Sequence, residues 1–414
     1  MAKKYNCTKN GKQYFRKTKT VGYDFNGKPI KKEFYGDGEK DADKKIEEYM
    51  RELEKGTNME TANLTVEQGM YQWLFDVLLH SSKIKSASFE KHENNYRNYI
   101  RDTQIGHIRI LNATSLPFQK YYNELYLKGH YVYDKRTDKK ELKPVSSNKI
   151  FDLNKTVRSF FSYCIKQKYT SSNPCTLDNI EIPGNADGEE DCEDIEGSDI
   201  QVFNDSELKI IMDNLKYENG KDNTFKVMVL LDFMSGLRSG ELRGLKKKFL
   251  KDNIAKVRNT LKNVKIYDSP TTYHRELKLI SPKFKSSIRD VPLPSSINRI
   301  LKKYLKEQEL KWQSQGLVFN DNSLIFTTDS CLPIDASNFK RAWERFLKRI
   351  KVEYKKPHSM RDTYATSLIR KGAKITTVKV LLGHSSIKIT EKYYIFVFPE
   401  DKSETANLMN DLIS

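Results

Sequence analysis

The sequence has no long apolar run and no apolar segment near its start. Its longest uninterrupted apolar stretches, such as Val227–Leu231 and Tyr393–Phe398, hold five or six residues, whereas a membrane-spanning helix needs about 18 or more. The opening residues, MAKKYNCTKNGKQ, are basic and lack the apolar core of a secretory signal. We therefore expect no transmembrane helix, no secretory signal and a cytoplasmic location.

Cysteine and proline are also scarce. The five cysteines stand at positions 7, 164, 175, 192 and 331 and form no C-x-x-C pair, which favours reduced thiols over a disulfide framework or a zinc site. With 12 prolines, 31% charged and 11% aromatic residues in a chain of 414, the composition argues against wholesale disorder. The length predicts two or three domains.

Positive charge, by contrast, is abundant. The chain has 73 Lys and Arg against 55 Asp and Glu, a formal net charge of +18. An excess of this kind on a folded protein indicates a polyanionic partner, here DNA or RNA. It supports binding and says nothing about catalysis.

Residues 1–60 form a basic region interleaved with aromatic residues. Apolar and polar residues alternate on both sides of Asn26-Gly27, which predicts a β-hairpin because both turn positions need positive φ. A helix is predicted over 41–53, which gives a small sheet-plus-helix module. We favour DNA contact by its basic strands over a merely solvated basic surface. The candidate DNA-contacting residues are Lys12, Arg16, Lys17, Lys19, Lys28, Lys31 and Lys32.

Residues 61–185 are predicted to be mostly helical. Thr65 and Gln68 have the spacing of a capping box, and further helices are predicted over 88–101, 115–128 and 147–168. Their aromatic stripes favour a hydrophobic core over a binding surface.

The following segment, 186–200, is acidic. Residues 186–199 hold eight acids and no Lys or Arg, as is typical of a solvated linker. A less favoured interpretation is that this segment mimics DNA and competes for a basic groove.

Residues 201–398 are predicted to form a helical domain with a small sheet inserted over 250–292, and they carry four short segments of note. Arg238 lies at a helix junction within SGLRSGEL, and a lysine-bearing hairpin is predicted over 282–292. His358 and Arg361 share one face near a helix N-terminus. Gly383 has the position of a helix C-cap, and His384 follows it. Each segment alone has an ordinary structural explanation.

Together, these segments carry a family resemblance. The motifs G-L-R-x-G-E-L, a lysine-containing segment ending R-x-V-P-L, H-x-x-R-D-T-x-A-T and L-G-H-S-S followed by tyrosine occur in that order. Over about 200–398 the sequence resembles the catalytic domain of the tyrosine recombinase (integrase) family. The layout of the whole chain is similar to the arm-binding, core-binding and catalytic domains of lambda-type integrases. Among these it most resembles the integrases of conjugative transposons of low-GC Gram-positive bacteria.

The resemblance implies a multidomain, mainly α fold with small β-sheets. Its N-terminal part would be an arm-type DNA-binding module over 1–60 and a helical core-binding domain over 61–185. An acidic linker over 186–200 would lead to a mixed α/β catalytic domain over 201–398 and a tail helix over 399–414. The tail is expected to pack on a neighbouring protomer, with packing on its own domain as the alternative.

The implied activity is site-specific recombination that integrates and excises a mobile element. A tyrosine attacks the scissile phosphate, a 3′-phosphotyrosine forms and a 5′-hydroxyl leaves, with no metal or nucleotide. The implied catalytic residues are Arg238, Lys283, His358, Arg361, His384 and Tyr393.

The two arginines are expected to clamp the non-bridging oxygens, where a guanidinium fork fits better than an ammonium group. Lys283 would be the general acid for the leaving oxygen and Tyr393 the nucleophile. His358 would accept the tyrosine proton or bond the phosphate, and His384 would add a bond to the phosphate.

Three assignments stay open. Tyr394 is adjacent to Tyr393, and Lys285 lies two residues beyond Lys283, where Phe284 replaces the threonine that is frequent in the family. Glu241 is expected to orient Arg238, although a surface acid is the alternative. Asp362, which follows Arg361, is expected to be structural.

The implied partner is double-stranded DNA with core and arm sites, in the bacterial nucleoid and not at a membrane. A homotetramer on DNA and a small excision factor are further family expectations. The competing hypotheses are a type IB topoisomerase, which shares the tyrosine chemistry, and a DNA-binding regulator with a decayed active site.

Overall fold

The structure is a computed structural model, and it describes residues 5–9, 11–23, 29–54, 64–134, 139–184, 200–219, 222–282 and 285–397. The chain divides into two compact units, Met1–Gly188 and Glu189–Ser414. The acidic segment 186–199 and the tail 399–414, with the predictions made for them, lie outside the described residues.

The first unit begins with a three-stranded antiparallel sheet and a helix. The strands are β1 (Cys7–Lys9), β2 (Lys12–Tyr23) and β3 (Pro29–Gly36), and the helix is α1 (Glu39–Glu54). Strands β2 and β3 pair antiparallel, as the alternation around Asn26-Gly27 predicts, although the turn itself lies outside the described residues. The hairpin is longer than its apolar alternation indicates, because Thr- and Lys-rich residues extend β2 toward its N-terminus.

The rest of the first unit is mainly helical. Thr65 and Gln68 form the predicted capping box at the start of α2, and the aromatic stripes are buried, with Phe118, Phe160 and Phe161 fully enclosed. The elements are α2 (Val66–Gln72), which continues as a π-helical turn (Trp73–Leu78), α3 (Ser86–Tyr99), α4 (Ser115–Leu127), β4 (His130–Asp134), β5 (Lys139–Lys143) and α5 (Ser147–Lys166).

The β4–β5 hairpin was not anticipated from the sequence. Its strands pair from His130↔Lys143 to Asp134↔Lys139, in a stretch so rich in charged residues that strand alternation is obscured. The helical prediction for this region therefore needs this correction.

The second unit surrounds a core centred on Trp343, Phe203 and Phe326. Asn204 and Glu207 form a capping box at the N-terminus of the first of eight helices in the described part of the unit. They are α6 (Asp205–Asn214), α7 (Thr224–Ser235), α8 (Ser239–Arg243), α9 (Ser295–Ser314), α10 (Ala336–Arg349), α11 (His358–Arg370), α12 (Ile375–Leu382) and α13 (Ile387–Val397). The strands are β6 (Leu250–Lys251), β7 (Ile254–Val257), β8 (Thr260–Tyr267), β9 (Tyr273–Ile280) and β10 (Arg289–Pro292).

The hairpin predicted over 282–292 is wrong. Strand β9 pairs with β8, whereas β10 pairs with β7 in a separate sheet in the order β10-β7-β6. The segment therefore connects two sheets, with a 3₁₀ turn at Lys285–Ser287. Strand-like flanks around a small polar centre suggest a local hairpin, but both flanks pair with strands that precede them in the chain.

The described residues contain neither a candidate membrane span nor a candidate metal site. No helix there is both long and apolar enough to cross a membrane, and no group of three His, Cys, Asp or Glu side chains could hold a metal ion.

Gly236 provides a test of this fold. It ends α7 with φ 58°, and a Cβ there would lie 2.4 Å from the Tyr364 ring. We expect Gly236→Ala to destabilise the protein by more than the roughly 1–2 kcal/mol of a left-handed alanine. Gly316→Ala is the control, because Gly316 has φ +70° and open space around its Cβ. Urea unfolding of the full chain measures both, and equal losses would contradict the close approach to Tyr364.

Candidate active site

Arg238 lies between the end of one helix, α7, and the start of the next, α8. Gly236 takes the left-handed conformation that ends α7, and α8 begins directly after Arg238. The side chain is 28% exposed, and its guanidinium reaches two other segments of the unit, with Nη1 3.5 Å from Ser287 Oγ and Nη2 3.4 Å from the Gly383 carbonyl. The helix junction predicted from the sequence thus presents a partly exposed cation.

Glu241 is the buried centre of this region. Its carboxylate accepts a bond from the Arg238 backbone N–H at 2.9 Å and one from Arg238 Nη1 at 3.2 Å. It also forms a two-pronged ion pair with Arg289, at 3.1 and 2.9 Å. Burial by itself opposes the charge on Glu241, but Arg289, Arg361 and Arg238 hold its pKa below the ordinary value. The alternative of a surface acid is excluded, since both side chains of the pair are 4% exposed.

Arg361 is almost completely enclosed and bonds to backbone rather than to acids. Its Nη1 donates to the Gly236 carbonyl at 2.5 Å and its Nη2 to the Leu382 carbonyl at 2.6 Å. Burial and the neighbouring Arg238 and Arg289 lower the pKa of Arg361 to about 9, so the group is still a cation at pH 7. It connects the ends of α7 and α12.

Gly383 allows α12 to end against this cluster. It has φ 70°, as a C-cap glycine does, and a Cβ there would lie 2.9 Å from the Ser286 carbonyl and 3.0 Å from Arg289 Cδ. The L-G-H motif therefore brings the chain directly over the arginines, and the C-cap prediction is confirmed.

Tyr393 points into the same cluster. Its hydroxyl donates to Asp362 Oδ1 at 2.8 Å, and its ring stacks on His384 with centroids 6.0 Å apart and an interplanar angle of 14°. Burial, followed by the nearby Asp362 carboxylate, raises the pKa of Tyr393. Tyr394, the alternative, is 41% exposed.

The two histidines occupy different environments. His384 is buried and its Nδ1 contacts Thr390 Oγ1 at 3.0 Å. His358 is more exposed, with Nε2 3.5 Å from Asp362 Oδ1. Burial and the neighbouring Arg361 and Arg238 lower the pKa of His358 to about 4, and the same two arginines add to the effect of burial on His384. Both imidazoles are therefore neutral at pH 7.

Five of the six sequence-predicted residues thus come together in one network of contacts. The sixth, Lys283, lies outside the described residues, as does its neighbour Phe284. Lys285, the alternative, is exposed at the start of the 3₁₀ turn whose last residue, Ser287, contacts Arg238.

Sequence reasoning missed two residues of this cluster. Arg289 has no predicted role beyond its place in the R-x-V-P-L segment, yet its Nε also bonds the Leu381 carbonyl at 2.6 Å. Asp362 is predicted to be structural, yet its carboxylate accepts a hydrogen bond from the Tyr393 hydroxyl. The sequence does contain a signal for Arg289. An arginine at an inward-facing strand position predicts a buried acidic partner, because an unpaired buried charge is rare.

The N-terminal candidates fall on two faces of the first sheet. The register pairs Lys17 with Phe34 and Lys19 with Lys32, and Lys17 forms ion pairs with Glu39 and Asp43 of α1. Strand alternation therefore divides the described candidates. Lys17, Lys19 and Lys32 lie on the face that α1 covers, whereas Lys12, Arg16 and Lys31 lie on the opposite face. Lys28 lies outside the described residues.

Comparison with known proteins gives the same family as the sequence motifs. Residues 201–399 match the phage integrase family. A "Tyrosine recombinase XerC-like" protein of Caldanaerobacter subterraneus subsp. tengcongensis is 39% identical over 420 residues, covering 100% of both chains. The ICEBs1 integrase of Bacillus subtilis is 28% identical over 189 residues, which is 46% of this chain and 49% of that protein.

Solved structures share the fold. The Tn1549 transposon integrase in complex with transposon right end DNA has a TM-score of 0.59 at 17% identity and covers 83% of this chain and 99% of its own. A lambda integrase dimer bound to a core site has a TM-score of 0.51 at 12% identity and covers 80% of this chain and 95% of its own.

The family match and the full-length relative define a DNA strand-breaking and rejoining enzyme. The chain belongs to the tyrosine recombinase family, of the integrase type. The resemblance stated from the sequence motifs and the mainly α, multidomain fold with small sheets are both confirmed.

The Glu241–Arg289 pair provides a test of this site. Removing one partner of a buried ion pair leaves an uncompensated charge and costs about 3–5 kcal/mol. We expect Glu241→Ala to lower the free energy of unfolding by that amount at pH 7, measured by urea unfolding. Because folding lowers the pKa of Glu241 from its ordinary 4.5, this contribution is present above that pH and is lost as the pH falls through the folded value.

The control is Asp290→Ala, which removes the exposed partner of Arg258 and should cost no more than about 1 kcal/mol. Equal losses for the two variants, or a Glu241→Ala loss that persists unchanged at acid pH, would contradict the structure.

Proposed function

We propose that this protein integrates and excises a mobile DNA element by cutting each strand through a covalent 3′-phosphotyrosine on Tyr393. The observation that carries the proposal is the meeting of Arg238, Arg361 and Tyr393 in one cluster beside the buried Glu241–Arg289 pair. A phenol beside fixed guanidinium groups matches what attack on a phosphodiester requires.

The arginines supply the electrostatic part of this reaction. Arg238, Arg361 and Arg289 carry three positive charges against two negative charges from Glu241 and Asp362, so the cluster keeps a net positive charge that favours an anion. Arg238, which is partly exposed and held by Glu241, is the group best placed to donate to a non-bridging oxygen. Donors fixed before the reaction stabilise developing charge without reorganising. His384, neutral and beside Tyr393, adds a further hydrogen bond to the phosphate.

The covalent step conserves bond energy. Tyr393 Oη loses its proton and bonds to phosphorus while the bond from phosphorus to the 5′-oxygen breaks. Lys283 protonates that oxygen as it leaves. A 5′-hydroxyl of a second strand then attacks the phosphotyrosine and releases Tyr393. His358 bonds the phosphate, or accepts the tyrosine proton.

The mobile-element role rests on the relatives. The XerC-like protein aligns over the whole chain, whereas the ICEBs1 and Tn1549 proteins are integrases by name, the latter of a transposon. We propose further that the protein binds double-stranded DNA at core and arm sites and forms a homotetramer on that DNA. In this proposal an excision factor is a further partner, and the protein acts at the nucleoid. The assigned regions are an arm module over 1–60, a core-binding domain over 61–185, a linker over 186–200, a catalytic domain over 201–398 and a tail helix over 399–414.

The nucleophile assignment is tested with a nicked suicide duplex that carries the end of the element. We expect wild-type protein to form a covalent protein–DNA band and Tyr393→Phe to form none, because phenylalanine has no hydroxyl to attack. Tyr394→Phe is the matched control and should retain the band. Adduct formation by Tyr393→Phe but not by Tyr394→Phe would transfer the role to Tyr394.

Arg238→Lys tests the phosphate clamp on the same duplex. Lysine keeps the charge but loses the planar fork, so we expect adduct formation to slow by about 100-fold or more. Arg349→Lys, a similar exchange near the end of α10, should leave the rate unchanged. An unimpaired Arg238→Lys would remove the clamp from the mechanism.

The N-terminal module is tested by neutralising one face of its sheet. Changing Lys12, Arg16 and Lys31 together to Ala should weaken arm-site binding and reduce the slope of log K against log salt by about 2 to 3, because up to three phosphate contacts are lost. Changing Lys17, Lys19 and Lys32 removes the same charge from the face toward α1 and should change the slope less. Equal effects of the two triple changes would show that the total charge of the sheet determines binding, rather than the charge on the face opposite α1.

A further inference from the structure

Asp362 is the unexpected neighbour of the nucleophile. Its Oδ1 accepts the Tyr393 hydroxyl at 2.8 Å, and each residue is 7% exposed. This distance allows direct proton transfer. The inference below rests on the proposed function, because it concerns the same attack by Tyr393.

The other proton acceptors near Tyr393 are less well placed. The His384 ring is nearly parallel to the phenol ring with centroids 6.0 Å apart, and its Nδ1 contacts Thr390, while the Tyr393 hydroxyl bonds Asp362. His358 Nε2 lies 3.5 Å from Asp362 Oδ1, which places it beside the carboxylate. Within the part of the chain that the structure describes, Asp362 is therefore the titratable group in hydrogen-bond contact with the reacting oxygen.

The surroundings of Asp362 determine its basicity. Arg361 and the backbone N–H of Gln201 favour the charged form of Asp362, and the Tyr393 hydroxyl donates a hydrogen bond to it. Asp232 and Glu241 are the other acids of this region. Burial outweighs the favourable contacts and raises the pKa of Asp362 to about 6. At pH 7 the group is mostly a carboxylate, and it is a stronger base than an exposed aspartate.

We propose that Asp362 is a catalytic residue that orients the Tyr393 phenol and accepts its proton during attack on the scissile phosphate. The Oη–H bond breaks and the proton moves to Asp362 Oδ1 as Oη bonds to phosphorus. The 5′-oxygen leaves with a proton from the general acid. In religation the attacking 5′-hydroxyl gives its proton to the general acid, and Asp362 returns its proton to the departing Tyr393 oxygen, so the enzyme ends in its starting protonation state.

The first test compares Asp362→Asn with wild type in single-turnover adduct formation on the suicide duplex. Asparagine can still accept the hydrogen bond but cannot take the proton, so we expect a rate loss of about 10²–10⁴. The wild-type rate should fall as the pH decreases through about 6, since the base becomes protonated, and this limb should be absent in the variant. Asp329→Asn, the same change at an exposed residue, should match wild type.

A substrate with a bridging 5′-sulfur separates the base from the acid, because a thiolate leaves without a proton. It should restore the rate of Lys283→Ala and leave Asp362→Asn slow. Restoration of Asp362→Asn by this substrate, or a wild-type rate and pH profile for Asp362→Asn, overturns the proposal. A wild type that forms no adduct contradicts the recombinase function itself.

A second measurement does not depend on activity. 3-Fluorotyrosine placed at position 393 reports the phenol pKa by ¹⁹F NMR in the DNA-free protein. Removing the adjacent negative charge in Asp362→Asn should lower that pKa by about one unit or more, and Asp329→Asn should not change it. An unchanged pKa in Asp362→Asn overturns the contact on which the proposal depends.

Discussion

The buried ion pair between Glu241 and Arg289 is the interaction on which the rest of the site depends. One carboxylate binds both prongs of Arg289 and also holds the backbone and side chain of Arg238. Arg289 in turn bonds the Leu381 carbonyl at the end of α12. The pair therefore connects α8, β10 and α12, and fixes where the partly exposed arginine points. Without Glu241, three arginines would repel one another in a region shielded from water.

Electrostatics explains why the arginine cluster is stable without a bound anion. Arg361 bonds two backbone carbonyls that terminate helices, where the helix dipole favours a cation. Arg238 has weaker contacts with Ser287 and Gly383 and is more exposed. One guanidinium thus organises the chain ends, while the other is available to a ligand. The neutral histidines add hydrogen bonds without increasing the positive charge.

Much of the fold could be predicted because its signals are local. The capping boxes at Thr65 and Asn204, the C-cap at Gly383 and the helix beginning near His358 each depend on residues within a few positions of one another. The β4–β5 hairpin and the pairing of β10 with β7 could not be predicted in the same way. A charged strand lacks clear alternation, and the partner of a strand depends on which edge tertiary packing leaves free.

The sequence by itself determined the family, the order of the motifs and the residue types from which the site is built, because several short motifs in one order identify a family before any contact is known. Only the tertiary structure decided which side chains meet. Arg289 and Glu241 are 48 residues apart, and Asp362 and Tyr393 are 31 apart, so no local pattern reveals either contact. The net charge of +18 indicated a polyanionic partner, but packing determined which cations lie beside the phenol and which are paired at the surface.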